Sequence, residues 1–204
     1  MKILLLADQA EPMLWEHLDR RKLEGVDLIL SCGDLPASYL SFLTCFTNAP
    51  ILYIHGNHDG RYVKQPPEGC TCIEDTIYVH DGVRILGLGG SMRYNRGTHQ
   101  YTEKQMHQRV RKLRFKLWFN KGFDILLTHS PAYNVGDDKD LAHRGFETFL
   151  HLMDKYHPTL LAHGHVHQNY RHDFKRVREY NGTTVINCFG SYYFEIEPKI
   201  KKKR

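Results

Sequence analysis

Five short apolar segments of this chain each run into an aspartate, asparagine or histidine. Segments of this length, rich in Val, Ile and Leu, predict strands that are buried on both faces. Because open α/β sheets bind ligands at the carboxyl ends of their strands, we expect these polar side chains to share one sheet edge. The segments and the residues that follow them are Ile3–Ala7 with Asp8, Leu28–Ser31 with Asp34, Ile51–Ile54 with Asn57 and His58, Ile125–Thr128 with His129, and Thr159–Ala162 with His165 and His167.

Helical and extended patterns divide the chain unequally. Helix-like spacing of apolar residues occurs at Pro12–Leu23, Glu103–Phe119 and Phe146–Tyr156, so the first part predicts strands that alternate with helices. The last part instead predicts successive strands joined by an Asn181-Gly182 hairpin turn. A mixed sheet, or two sheets packed face to face with helices outside, accommodates both patterns. The first two strands are predicted to begin one residue earlier than the apolar segments above, as Lys2–Ala7 and Asp27–Ser31. The further predicted strands are Arg84–Leu88, Asn169–Val177, Thr183–Asn187 and Tyr192–Ile196.

The length and charge of the chain suit one globular domain. Its 204 residues allow a substantial single core, assigned to residues 1–198. The formal net charge is +5, and part of it lies in the basic tail of residues 199–204. A charge run of this kind is typical of a solvated tail, and contact with nucleic acid is the alternative. The composition leaves the oligomeric state open.

Cysteine usage and the amino-terminal segment both bear on location. The five cysteines are odd in number, and Cys70-Thr71-Cys72 is too tightly spaced for a typical zinc knuckle. They are therefore interpreted as reduced thiols of a cytoplasmic protein. The apolar run Ile3–Ala7 is too short for a signal sequence or a membrane span, and no membrane association is expected.

The residue types at the predicted sheet edge select a chemistry. A single Asp or His after a strand is usually a turn former or a surface residue, but five such coincidences at one edge favour a site. Gly33, Gly56 and Gly164 each precede a polar candidate, where the backbone must turn close to a ligand. Carboxylate, amide oxygen and imidazole suit Mn, Fe, Zn or Ni. Two such ions about 3.5–4 Å apart activate water and clamp a phosphate, and Asp34 is the natural bridging carboxylate.

These motifs give the chain a family resemblance. In order, they are Asp8, Gly33-Asp34, Gly56-Asn57-His58-Asp59, His129 and Gly164-His165-Val166-His167. The chain resembles the calcineurin-like metallophosphoesterases, from Ile3 to about His167. The resemblance implies an α/β fold in which two mixed β-sheets pack as a sandwich flanked by helices, in four layers α/β/β/α. It also implies a hydrolase of phosphoric esters.

The resemblance implies a role for each matched residue. Asp8 and His167 are expected to hold the first metal, Asn57, His129 and His165 the second, and Asp34 to bridge them. His58 is expected to lie just outside the metals as the catalytic residue that protonates the leaving oxygen or stabilises the transition state. Asp59 is expected to orient the His58 ring.

One ligand of the family pattern is missing, because Ala10 stands where the first histidine is expected. Water or the carboxylate of Glu11 is the alternative ligand at that position. Loss of an imidazole predicts a weaker first site that prefers Mn or Mg over Zn. The same substitution supports the rival hypothesis, in which a catalytically impaired family member acts as a protein-interaction scaffold. The retained His58 favours the enzyme, because the fold has no need of that side chain.

The substrate is the least constrained feature. Candidate phosphate-binding residues in loops are Arg61, Arg93, His143 and Arg144, with Tyr94 beside them. The pattern does not separate a phosphomonoester from a diester, a cyclic nucleotide or a nucleic-acid end. The compact length predicts a small or extended substrate bound in an open groove.

Overall fold

The computed structural model describes residues 1–167 and 175–197 and contains two large mixed β-sheets. The first sheet has the strand order β13-β1-β2-β3-β4, the second has the order β11-β12-β10-β9-β6-β5, and β7 pairs with β8. The bounds of the strands are β1 Lys2–Ala7, β2 Leu28–Ser31, β3 Ile51–Tyr53, β4 Thr71–Cys72, β5 Thr76–His80, β6 Val83–Leu88, β7 Ser91–Met92, β8 Gln100–Tyr101, β9 Ile125–Thr128, β10 Leu160–His163, β11 Val177–Tyr180, β12 Thr183–Asn187 and β13 Gly190–Glu195.

Helices cover the outer faces of both sheets. Helix α2 begins at a capping box, in which Thr102 and Gln105 exchange side-chain and backbone hydrogen bonds. Among the described residues, no helix is long and apolar enough to cross a membrane. The α-helices are α1 Ala37–Leu43, α2 Glu103–Lys112, α3 Arg114–Phe119 and α4 Glu147–Tyr156, and 3-10 turns occupy Pro12–Leu14, Arg20–Leu23 and Asp59–Val63.

Strand β1 shows how the layers form. Ile3, Leu5 and Ala7 point into the core between the two sheets, whereas Leu4 and Leu6 face the helical layer outside the first sheet. A third apolar cluster lies between the second sheet and α2–α4. Because alternate side chains of a strand leave opposite faces, an uninterrupted apolar strand serves two cores at once. This arrangement confirms the predicted four-layer α/β sandwich.

The central strands of each sheet are parallel, and three outer pairs of strands are antiparallel, whereas the edge strand β4 pairs in parallel with β3. The mutually parallel strands of the first sheet are β1, β2, β3 and β4, and those of the second sheet are β6, β9, β10 and β12. The antiparallel pairs are β13 with β1, β5 with β6, and β11 with β12. The turn between β11 and β12 has positive φ at Asn181 (46°) and Gly182 (82°), as a type I′ hairpin requires. The Asn181-Gly182 hairpin is therefore confirmed.

The last two strands belong to different sheets. β12 pairs with β10 and β11 in the second sheet, whereas β13 pairs with β1 in the first. The chain therefore crosses the sandwich between Asn187 and Gly190. The sequence predicted successive strands here but not this crossing, because alternation within a strand does not name its partner.

Two predicted helices differ in the structure. The prediction of one helix over Pro12–Leu23 was wrong, because this segment forms two 3-10 turns. The Asp19 side chain accepts a hydrogen bond from the backbone N–H of Arg21 and starts the second turn, which interrupts a continuous helix. Glu103–Phe119 is divided at Leu113, whose backbone N–H is directed at the Val110 and Arg111 carbonyls. The predicted strand Asn169–Val177 lies mostly outside the described residues, as does the tail of residues 199–204.

Candidate metal centre

Asp8 links the ends of strands from both sheets. It follows β1 with a positive φ of 62°, and its side chain is only 1% exposed. Its two carboxylate oxygens accept the backbone N–H of His165, which follows β10, at 2.9 and 3.1 Å. A buried carboxylate held by backbone N–H has a fixed direction, so Asp8 is positioned before any ligand arrives.

Asp34 follows β2 and lies at the centre of the candidate site. Its Oδ1 accepts the backbone N–H of His58 at 2.7 Å, and its Oδ2 is 3.3 Å from Nε2 of His129. Gly33 and Gly56 allow the two loops to approach, because a Cβ on Gly33 would clash with the backbone of Gly56 and a Cβ on Gly56 with the Asp34 carboxylate. The crowding explains why these positions need glycine.

His129 and Asn57 present their ligand atoms to the same point. His129 is fully buried, and its Nδ1–H donates to the Cys32 carbonyl at 2.8 Å, which directs Nε2 toward the centre. That Nε2 is 3.0 Å from Oδ1 of Asn57. The Asn57 amide nitrogen donates to the hydroxyl oxygen of Tyr94 at 3.2 Å, which leaves the amide oxygen toward the centre.

The two histidines of the last motif lie on either side of these residues. The His165 ring centroid is 4.9 Å from that of His129, and its Nε2–H donates to the Ala142 carbonyl at 2.7 Å. His167 is partly exposed, and its Nε2 is 3.9 Å from Oδ1 of Asp8. The side chains predicted for the first and second metals therefore adjoin Asp8 and His129 respectively.

His58 and Asp59 occupy different environments. The His58 side chain is 74% exposed at the rim, with its Nε2 4.0 Å from Oδ2 of Asp34. Asp59 is buried, and one of its carboxylate oxygens accepts the backbone N–H groups of Asp34 and Gly56 at 2.8 and 2.7 Å. The resemblance had implied that Asp59 orients the His58 ring. In the described contacts, the Asp59 carboxylate instead holds two loops together through their backbone N–H groups.

The buried charges of the site shift one another's pKa values. Burial, with the nearby Asp34 carboxylate, raises the pKa of Asp8 to about 7 and that of Asp59 to about 6. Burial alone would also raise the pKa of Asp34, but His129 and the His58 backbone N–H lower it to about 2. Burial opposes a charged His129 ring, yet the carboxylates of Asp34 and Asp8 raise its pKa to about 9. The centre of the site thus attracts positive charge.

A divalent metal fits this arrangement of donors. One ligand atom each from Asp8, Asp34 and His129 lie within 4.8 Å of one another. Carboxylate and amide oxygens together with imidazole nitrogen form a donor set that borderline divalent ions prefer. Asp8, Asp34 and Asn57 follow β1, β2 and β3 of the first sheet, whereas His129 follows β9 of the second. The prediction of a single sheet edge was therefore wrong, because the site lies where the strand ends of two packed sheets meet.

A sequence model of the calcineurin-like phosphoesterases matches residues 5–169 of this chain. The chain belongs to the calcineurin-like phosphoesterase family. The family is metal-dependent, and the cluster of Asp8, Asp34 and His129 lies within the matched region. No curated protein sequence is significantly similar to the chain.

Solved structures with the same fold share few identical residues with this calcineurin-like phosphoesterase. TT1561 of Thermus thermophilus is 19% identical over 93% of this chain and 89% of its own length, with a TM-score of 0.63. GAP50, the anchor in the inner membrane complex of Plasmodium, is 14% identical over 93% of this chain and 71% of its own, with a TM-score of 0.55. These likenesses support the fold.

Ala10, which stands at the position of the missing family histidine, makes an apolar contact. Ala10 packs against the apolar cluster outside the first sheet. The Oε2 of Glu11 accepts the Ser191 hydroxyl at 3.0 Å, so this carboxylate has a partner on β13. Neither residue belongs to the cluster of Asp8, Asp34 and His129.

The predicted substrate residues are divided between two regions. Arg61 lines a 610 Å³ cavity together with Asp8, Asp34 and His58. The His143 ring is 5.1 Å from the ring of His165. Two other candidates have contacts elsewhere. Arg93 donates to the Gln100 carbonyl at 3.4 Å, and Arg144 lies 3.6 Å from Glu147 and over the Tyr133 ring.

Sequence reasoning missed a network that supports the loop after β3. Glu74 accepts the backbone N–H groups of His55 and Gly89, both at 3.1 Å, and forms an ion pair with Arg109 of α2. Arg109 also donates to the Gly89 carbonyl at 2.8 Å and to Asp75 at 2.9 Å. Only the basic pattern of α2 was visible in the sequence, because the two carboxylate partners of Arg109 are more than thirty residues away.

Proposed function

We propose that this chain is a working metal-dependent phosphoesterase that hydrolyses a phosphomonoester or phosphodiester at the centre formed by Asp8, Asp34 and His129. The observation that carries the proposal is the convergence of their ligand atoms within 4.8 Å. The buried amide oxygen of Asn57, 3.0 Å from His129, adds a fourth donor. Asp8 and His167 are proposed to hold the first metal, Asn57, His129 and His165 the second, and Asp34 both.

Two divalent ions at such a centre lower the pKa of water and neutralise the charge of a phosphate. The protein's own residues would do the rest. Arg61 lines the cavity with the metal-binding carboxylates and would bind non-bridging phosphate oxygens. The exposed His58 ring, 4.0 Å from Asp34, would hold a proton on Nε2 and donate it to the leaving oxygen.

The metal and the location complete the proposal. With Ala10 in place of an imidazole, the first site is rich in oxygen donors, so Mn is proposed, with Mg, Fe, Zn and Ni as alternatives. The five cysteines are free thiols, two of them buried, which supports a cytoplasmic protein. A single domain over residues 1–198, a basic tail and a substrate in an open groove remain predictions.

A catalytically impaired scaffold is the second candidate. It is favoured by the apolar packing of Ala10 and by the hydrogen bond of Glu11 to Ser191, which together leave the first site one protein ligand short. A scaffold would keep the fold but would not turn over phosphoesters.

Hydrolysis of nitrophenyl phosphate and bis-nitrophenyl phosphate separates the two candidates. Protein stripped with a chelator should be inactive, and Mn, Mg, Zn, Ni and Fe should be returned separately. We expect Mn to restore the most activity. An Asp34→Asn variant, which keeps the size of the side chain, should stay inactive with every metal. If reloaded wild-type protein hydrolyses neither ester, the scaffold hypothesis replaces the enzyme.

A further inference from the structure

A cavity between the helices that cover the second sheet lies away from the metal centre. It measures 860 Å³ and runs between α2 and α3 on one side and α4 on the other. None of the residues that line it belongs to the metal centre or to the predicted substrate set. These helices cover the outer face of the second sheet, so the groove opens on a different face of the sandwich from the strand ends.

The floor of this groove is aliphatic. Val110, Leu117 and Leu152 line it, and Leu117 and Leu152 are also part of the apolar cluster beneath the helices. Tyr156 closes one side, with its ring 5.3 Å from that of Phe123. The floor is thus an extension of the protein core that is open to solvent, a form that suits apolar anchor side chains of a partner.

An exposed aromatic face borders the groove. Phe115, Trp118 and Phe119 occupy positions i, i+3 and i+4 of α3, so they share one face of that helix. Their exposed fractions are 61%, 72% and 75%. Clustered large apolar side chains on a surface mark interaction sites, and Trp is enriched among residues that dominate binding energy.

The rim of the groove carries only positive charge. Four of the described lining residues are Arg or Lys and none is Asp or Glu. The described ion pairs use none of these four cations. Two of them lie over aromatic rings, Arg114 over Phe115 at 4.7 Å and Lys155 over Tyr156 at 5.3 Å, and a ring contact leaves the positive charge without a carboxylate partner. The four residues are Arg111, Arg114, Lys121 and Lys155.

We propose that this groove docks an acidic amphipathic helix of a partner protein, with apolar anchors on the floor and carboxylates on the cationic rim. Helices bind grooves of this kind through apolar residues at i, i+3, i+4 and i+7. Carboxylates flanking the anchors would meet Arg111 and Arg114 on one side and Lys155 on the other, which sets the orientation of the helix.

The charge and shape of the groove disfavour three other ligands, namely a second copy of this chain, a nucleic acid and a lipid surface. A second copy of this chain would bring the same four cations against each other, in a protein whose net charge is already +5. A single-stranded nucleic acid would pair with the cationic rim and stack bases on the exposed aromatic face, but it would leave the aliphatic floor of the groove without an apolar partner. A lipid surface would contact Trp118 and the rim but would not fill the concave floor.

Trp118 provides a direct optical measurement. The chain has two tryptophans, and Trp15 is packed edge-on against Tyr39 and Phe42. In a Trp15→Phe variant, emission therefore reports Trp118 alone. The probes are 20-residue acidic amphipathic peptides that contain no Trp and whose apolar anchors are Leu, Phe or a mixture of the two. Peptides with scrambled anchor positions and a 20-nucleotide single-stranded oligothymidylate are tested beside them.

We expect the patterned peptides to shift Trp118 emission to the blue and protect it from acrylamide, with weaker binding at higher salt. Leu152→Asp in the floor and the pair Arg114→Glu and Lys155→Glu on the rim should each weaken binding by about 10-fold or more. Val79→Ser and Arg20→Glu, at exposed positions outside the groove, are the matched controls. Because Leu152 is buried, circular dichroism must show that its variant is folded, and the rim variants test the proposal independently.

Four outcomes would overturn the proposal. Equal binding of patterned and scrambled peptides would leave only non-specific charge attraction. Tighter binding of oligothymidylate, lost on the rim changes alone, would make the groove a nucleic-acid site. Protection of Trp118 that rises with protein concentration without peptide would identify a second copy as the occupant. Absence of binding by every patterned peptide at low salt would remove the docking role.

Discussion

The amide nitrogen of Asn57 donates a hydrogen bond to the hydroxyl oxygen of Tyr94 at 3.2 Å, while Oδ1 of the same amide lies 3.0 Å from Nε2 of His129. Tyr94 thus decides which end of the Asn57 amide faces the metal centre. Tyr94 is itself held, because its backbone N–H donates to the Gln100 side chain at 3.2 Å. The loop between the parallel strands β7 and β8 therefore acts on the centre through one hydroxyl group.

Removal of that hydroxyl should weaken metal binding. In Tyr94→Phe the Asn57 amide loses its partner, and we expect the second metal to bind about 10-fold to 100-fold more weakly, as for other partners of metal ligands. Calorimetric titration of the apo protein with Mn measures the effect. Tyr78→Phe on the edge strand β5 removes a hydroxyl elsewhere and should leave affinity unchanged. Equal affinities of the Tyr94 variant and wild type would show that Asn57 needs no orientation by Tyr94.

Replacement of His58 should lower turnover without loss of metal. We expect His58→Ala to reduce kcat by about 10²–10⁴-fold if the ring donates a proton to the leaving oxygen. Metal content should stay near the wild-type value, because the ring is 74% exposed and no nearer than 4.0 Å to Asp34. The loss should shrink for esters with good leaving groups. Equal losses for poor and good leaving groups, measured over a series of aryl esters, would reject proton donation.

Restoration of the missing imidazole should strengthen the first site. We expect Ala10→His to raise first-site affinity by about 10-fold to 100-fold and to shift preference toward Zn or Fe. Metal titration of apo wild type and variant compares the two sites. Gln9→His is the matched control, because it adds the same ring at the adjacent exposed position. If wild type already has two equal sites, another ligand serves the first metal. If Ala10→His changes nothing, position 10 is directed to the apolar cluster and away from the metal.

Loss of Arg109 should destabilise the fold. Its side chain is 10% exposed and forms ion pairs with Glu74 and Asp75. Arg109→Met would leave Glu74 partly buried without its cation, at a cost of about 3–5 kcal/mol in the free energy of unfolding. Urea denaturation measures the loss. Arg111→Met on the same helix removes an exposed Arg and should change stability by less than about 0.5 kcal/mol.

The cost of losing Arg109 should depend on pH. Burial alone would raise the pKa of Glu74, but hydrogen bonds from His55 and the charge of Arg109 lower it below its usual value. A carboxyl group whose folded pKa is depressed contributes stability above its unfolded pKa, about 4.3, and loses it as pH falls through the folded value. The stability gap between wild type and Arg109→Met should therefore narrow below about pH 4. A gap that stays constant from about pH 7 to about pH 3 would show that lost packing, and not the ion pair, causes the effect.

Several features of the candidate site could be predicted because they are local. Asp8, Asp34, Asn57 and His129 each follow an apolar strand, and the glycines beside them mark sharp turns. Asp8, Asp34 and Asn57 converge because parallel strands of the first sheet end at one edge, whereas His129 reaches the same point from the second sheet, which no local pattern predicts. Pro12–Leu23 shows the limit of local patterns, since apolar spacing near 3.6 residues is also satisfied by two 3-10 turns separated by the Asp19 cap.

The sequence alone determined which side chains are available for metal chemistry, that Ala10 stands where the family pattern has a histidine, and that the candidate ligands follow buried strands. The tertiary structure decided how those side chains are held. The Nδ1 of His129 contacts the carbonyl of Cys32, 97 residues away, and Asn57 contacts Tyr94, 37 residues away. It also placed β13 in the first sheet, opened the groove beside Trp118 and directed Asp59 to backbone N–H groups. Periodicity reports which face of a strand or helix is buried, whereas these contacts depend on which distant segment packs there.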